Sequence, residues 1–127
     1  MLTLRDITVI IPTKKVDELT IVCVKNVSYL FPGVKIIVLP DVNSTGDNEI
    51  TALKCDIEIF TTGKVTIAAK RNIGVEMSSS YLIGFIDSDA YPDETWLTKA
   101  INVFNTQPLV NVVSGPNVYP PGSSAGQ

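Results

Sequence analysis

The chain has 127 residues, 45% of them apolar and 18% charged, with a net charge of −3 and no histidine. That length sets one domain with a core of its own, and the modest charge excludes a disordered chain. The acidic balance leaves no basic footprint for nucleic acid. The missing histidine excludes a Ser-His-Asp triad, a Cys-His pair and histidine-rich zinc sites.

The opening "MLTLRDITVIIP" carries an acid ahead of its apolar run and no small-residue cleavage pattern, so it reads as no signal peptide. The apolar runs are too short to span a bilayer, which leaves membrane association only through regions outside this chain. Cys23 and Cys55 form no CxxC and read as free thiols in a reducing, cytoplasmic compartment.

"ITVIIPT" (Ile7–Thr13) is β-branched and bounded by a proline, the mark of a first strand. Val16, Leu19, Cys23, Val27 and Leu30 follow at helical spacing, up to a stop at Pro32–Gly33. "VKIIVLP" predicts a second strand, "DVNSTGDN" a loop, "EITALK" a short helix and "DIEIFTT" a third strand. Thr66 is placed to cap a helix carrying Ala69, Ile73 and Met77 on one face. On that reading Lys70 and Arg71 lie on a face that cannot be core. "YLIGFI" predicts strand four. Pro92–Asn105 reads as a helix burying Trp96, Leu97, Ala100, Ile101 and Phe104. "LVNVVSG" predicts strand five, and residues 119–127 read as a flexible tail after a domain at 1–118.

Strands alternating with helices predict an α/β fold: a mostly parallel sheet with helices on both faces. Ligands of such sheets bind outside the carboxyl ends of the strands. Those ends carry Pro12–Thr13 with two lysines, Asp41, and Asp87-Ser88-Asp89, with Lys70 and Arg71 nearby on the intervening helix. In an extended segment residues i and i+2 project to one side, roughly 6.5 Å apart at the backbone. Two carboxylates so placed suit a hard cation shared with phosphate oxygens. The plainer alternative is a loop in which Asp87 and Asp89 bond nearby backbone N–H groups. Arg71 offers a planar fork for phosphate or base, and Asp41 an acceptor for a base N–H or a cap for its own loop.

These residues together resemble the N-terminal half of family 2 glycosyltransferases, the Rossmann-like GT-A fold that binds nucleotide-sugars. "VIIPT" is similar to the family's first strand and turn, "DVNST" to its Asp-Asp-Gly-Ser-Thr loop and "AAKRNIGV" to its Ala-Arg-Asn-x-Gly helix. "YLIGFIDSDAYPDETWL" resembles the strand with its DxD motif, and "VVSGPNVYPP" the segment after it. Lys15 stands where the family often has Asn, and Val42 where it often has a second acid.

The resemblance implies a UDP-, GDP- or dTDP-sugar donor and a divalent metal, Mn²⁺ or Mg²⁺. It implies that Thr13 and Asp41 line the nucleobase pocket and that Arg71 contacts the base or diphosphate, with Pro12, Lys70 and Ser88 among the donor-binding residues. Asp87 would sit by the ribose and share the metal with Asp89. Family members continue past this stretch with the acceptor site and catalytic base, so the chain is expected to be a donor-binding part of an inverting enzyme. A later family strand inserts beside strand four, so an open edge there and a homo-oligomer joined near strand four or five are expected as well. The competing readings are a receiver-like phosphoacceptor with Asp87 as its acid, and an interaction domain that keeps the fold without a ligand.

Overall fold

The structure, a computed structural model, describes residues 1–114. The expected domain boundary at 118 and the tail at 119–127 lie outside the described residues. After a short 3₁₀ turn at Leu4–Asp6, strands and helices alternate: β1 (Ile7–Pro12), α1 (Glu18–Leu30), β2 (Lys35–Leu39), α2 (Gly46–Thr51), β3 (Asp56–Ile59), α3 (Ile67–Met77), β4 (Leu82–Phe85) and α4 (Trp96–Thr106). The four strands form one all-parallel sheet in the order β3-β2-β1-β4.

β1 lies in the middle of the sheet, paired to β2 from Thr8↔Lys35 to Pro12↔Leu39 and to β4 from Ile7↔Leu82 to Ile10↔Phe85. Every residue of β1 is buried. The period of two sends alternate side chains to opposite faces, so one continuous apolar strand feeds two cores. Ile7, Val9 and Ile11 join Val24, Val27, Phe31 and Leu97 on the side of α1, α2 and α4. Ile10 joins Ile37 and Leu39 under Ile73 and Met77 of α3. Helices therefore cover both faces, as the alternation predicts.

The helix caps follow their chemistry. Asp17 accepts from the Thr20 backbone N–H at 3.0 Å to start α1, and Thr66 from Ala69 N–H at 3.1 Å to start α3. Gly74 lets α3 approach the sheet, since a Cβ there would stand 2.8 Å from two carbons of Ile10.

Four expectations are corrected. Leu19 is 56% exposed; the buried stripe of α1 is Thr20, Ile21, Cys23, Val24 and Val27. Lys70, expected on an outer face, is buried, because the stripe of α3 that meets the sheet runs through Lys70 and Gly74. The last helix begins at Trp96, since Asp93 accepts from the Thr95 backbone N–H and holds Pro92–Thr95 in a turn. Strand five does not form within 109–114: a turn closed by Val110 N–H to Gln107 O leaves Leu109 93% exposed. β-propensity is realised only where a neighbouring strand offers a ladder, and this run finds none among the described residues. Among the described residues β4 is accordingly an edge strand, with Phe85 partly exposed. No helix among the described residues is long and apolar enough to cross a membrane.

Candidate functional site

The direction of chain progression reverses between β1 and β4, because β1 leads outward to β2 on one side while β4 is added on the other. The crevice beyond the carboxyl ends of these two strands is the expected ligand position for such a sheet. Pro12 and Thr13 end β1 there. Thr13 N–H donates to Leu39 O, and its hydroxyl donates to Lys15 O at 2.9 Å, which fixes the turn after the strand.

One strand over, Asp41 follows β2. Its N–H donates to Lys14 O at 2.8 Å, and its own carbonyl accepts from Gly63 N–H, so the β1, β2 and β3 exits are stitched side by side. Lys70 of α3 reaches into this seam. Its Nζ donates to Thr13 O and Leu39 O, each at 2.9 Å, and pairs with Asp41 Oδ1 at 2.6 Å. The side chain is only 3% exposed, against 20% for Asp41. A buried ammonium is tolerated when it is both paired and hydrogen-bonded, and three acceptors here face three N–H groups.

Arg71, the next residue, points across the crevice. Its guanidinium lies 5.8 Å from the Phe85 ring centroid and contacts Asp87 Oδ1 at 3.4 Å. At 43% and 66% side-chain exposure, that ion pair is weak and leaves both groups accessible. Arg71 Nε is buried without a hydrogen-bond partner among the described residues.

Asp87-Ser88-Asp89 forms a turn, closed by Ala90 N–H to Asp87 O at 3.0 Å, and not the extended segment that the same-side argument assumed. Sheet bonding ends with Ile86 N–H to Ile10 O, and beyond it the turn-forming residues bend the backbone. Both carboxylates remain exposed. Among the described residues no three potential ligands gather into a metal cage. Two exposed hard oxygen donors still suit a cation that draws its other ligands from phosphates and water.

Cys23 of α1 lies beneath this turn, its thiol 3.6 Å from Asp87 O. Burial, together with the negative charges of Asp89 and Asp87, pushes the thiol up to about 12. At mildly alkaline pH a maleimide or disulfide reagent should therefore modify the half-buried Cys55 and spare Cys23 in the folded protein. Mass spectrometry of the labelled peptides checks this; equal labelling of both would show the turn lifting off α1.

Two cavities, of about 200 and 270 Å³, open at the amino ends of the strands, beside Thr8, Lys35 and Ser78 and beside Phe31, Gly33 and Asp56. Neither touches the rim residues. The reversal point and its convergent charges locate the site better than cavity size does.

Of the residues singled out from sequence, Asp41, Lys70 and the Thr13 backbone meet directly, and Arg71 meets Asp87. Sequence reasoning missed the burial of Lys70 and the seat of the Asp-Ser-Asp turn on Cys23.

Comparison with known proteins agrees with this fold. A structure of S. aureus TarS 1–349 superposes with a TM-score of 0.61 at 20% identity, covering 78% of this chain and 32% of that one. A second S. aureus TarS structure gives 0.62 at 18% identity, covering 78% and 19%. The chain thus spans about a third and about a fifth of these proteins, and the likeness is one of fold. No curated protein sequence matches it. The model of the family described as Glycosyl transferase family 2 matches residues 8–125, nearly the whole sequence, and the chain belongs to that family.

Proposed function

We propose that the chain is the donor-binding part of an inverting glycosyltransferase, taking a nucleoside diphosphate-sugar at the β1/β4 crevice. The observation that carries this is the pair of consecutive cations on α3. Lys70 ties to the acid after β2 and Arg71 to the acid after β4, so one helical turn spans the reversal point. In this reading Asp41 and the Thr13 turn meet the base and Asp87 lies near the ribose. Arg71, with its unpartnered Nε and weakly held fork, meets the diphosphate.

Asp89 and Asp87 would hold Mn²⁺ or Mg²⁺ against the phosphate oxygens. When bound, such an ion offsets the charge that accumulates on the departing nucleoside diphosphate. Transfer forms a bond from an acceptor oxygen to the anomeric carbon as the bond from that carbon to the β-phosphate oxygen breaks. The rim residues described here serve the leaving side, and none is assigned the acceptor's proton.

Calorimetry with UDP, GDP and dTDP, each with and without Mn²⁺ or Mg²⁺, tests the reading. At least one nucleotide should bind in a metal-dependent way, and Asp89→Ala should weaken that binding by about tenfold or more while leaving metal-free binding unchanged. No nucleotide binding by the wild type, or metal-dependent binding undiminished in Asp89→Ala, would refute the assignment.

A further inference from the structure

We infer that Lys70 is a positioning residue for the nucleobase end of the donor site, acting through Asp41 without touching the ligand. The inference rests on the donor-binding reading above. Its basis is the saturation of the ammonium. Lys70 Nζ has three N–H groups and meets three protein acceptors, Thr13 O, Leu39 O and Asp41 Oδ1, at 2.9, 2.9 and 2.6 Å. With the side chain 3% exposed, no donor is left to offer a ligand. Its position decides what it can do: it bridges the carboxyl ends of β1 and β2 at the point where their ladder stops.

Each of the three acceptors belongs to a different part of the base-facing wall. The Thr13 carbonyl sets the turn after β1, the Leu39 carbonyl ends β2, and the Asp41 carboxylate projects from the loop beyond it. Leu39 O already accepts from Thr13 N–H, so Lys70 completes its second lone pair and locks the two exits together. Holding Oδ1 in this ion pair fixes the carboxylate's rotamer and leaves its second oxygen outside the pair to accept from a ring N–H. A lysine here therefore makes a largely buried acid tolerable and holds it oriented.

The role is separable from ordinary packing, because it predicts loss at the base end only. Affinities for UDP, GDP and dTDP, and for inorganic pyrophosphate, all with Mn²⁺, are measured for the wild type, Lys70→Met, Asp41→Asn and the double variant. Folding of each is checked by circular dichroism. Lys70→Met is expected to weaken the best nucleotide by about tenfold or more and to leave pyrophosphate within about twofold. Because the effect runs through Asp41, the double variant should bind like Asp41→Asn. If Lys70→Met alone does not fold, the double variant, which carries no unpaired buried charge, is compared with Asp41→Asn; a further tenfold loss there overturns the inference. So does an equal loss of nucleotide and pyrophosphate affinity, or an unchanged nucleotide affinity in a folded Lys70→Met. A wild type that binds pyrophosphate but gains nothing from any base overturns it too. A wild type that binds neither overturns the donor reading itself.

Discussion

Lys70→Met should destabilise the fold by about 3–5 kcal/mol, the cost of stranding one member of a buried ion pair. Methionine nearly matches the stem of lysine in length, so the loss is electrostatic and not a cavity. Three acceptors lose their donor together: the Thr13 and Leu39 carbonyls and the Asp41 carboxylate. The carboxylate suffers most, being only 20% exposed and without a counter-charge. Urea denaturation of the wild type and the variant measures the difference, with the dependence on denaturant unchanged if the native state stays compact. Combining Lys70→Met with Asp41→Leu should recover much of the loss, since an apolar pair of similar volume often replaces a buried ion pair at little cost. A single variant that loses less than about 1 kcal/mol would mean that water already reaches the ammonium.

The same lysine shows where reading from sequence stops. The alternation of β-branched runs with amphipathic ones is a local signal, and it yields the parallel sheet, the order of elements and the rim on which Thr13, Asp41, Arg71 and Asp87 stand. Lys70 defeats it because charge alone was used to place the residue outside. The spacing held a correction: Lys70 precedes Gly74 by four residues and Met77 by seven, which puts all three on one face of α3. A glycine that admits Ile10 at 2.8 Å marks that face as the one against the sheet. Leu19 fails in the converse way, being apolar yet outside, because the stripe of α1 centres on Val24.

The run at 109–114 fails for another reason. Val112 and Val113 have strand propensity, but a strand needs a neighbour, and pairing is a property of the tertiary fold. Asp87 and Asp89 belong to a fourth kind of case: the residues are where the reading put them, while the backbone between them is bent. A strand's length follows from its ladder, and the β1–β4 ladder ends before the first of these acids.

Gly46→Ala should cost about 3 kcal/mol, at the upper end for overpacking, because the obstacle is backbone. A Cβ at this position would stand 2.0 Å from Val16 O and 3.0 Å from Val16 C. Neither atom belongs to a side chain that can rotate away. Val16 leads into α1 through the Asp17 cap, and the Ser44 hydroxyl donates to the same Val16 carbonyl at 3.3 Å. Relief therefore requires α2 to withdraw from the start of α1 by more than an ångström, and the Asp41–Thr45 loop, anchored between them, has to follow. Gly63→Ala is the instructive control. Gly63 has φ of 75° with nothing within 4 Å of its would-be Cβ, so alanine there meets strain and no collision, at about 1–2 kcal/mol. The two variants should differ in function more than in stability. Gly46→Ala moves Asp41 away from Lys70 and should weaken nucleotide binding at temperatures where the protein is still folded. Gly63→Ala strains a residue whose N–H holds the Asp41 carbonyl and not its carboxylate, so it should disturb the 2.6 Å pair less and bind closer to the wild type. Thermal melts run with and without nucleotide check both, and a Gly46→Ala protein with unaltered stability would show that the junction of α1 and α2 yields far more easily than its packing implies.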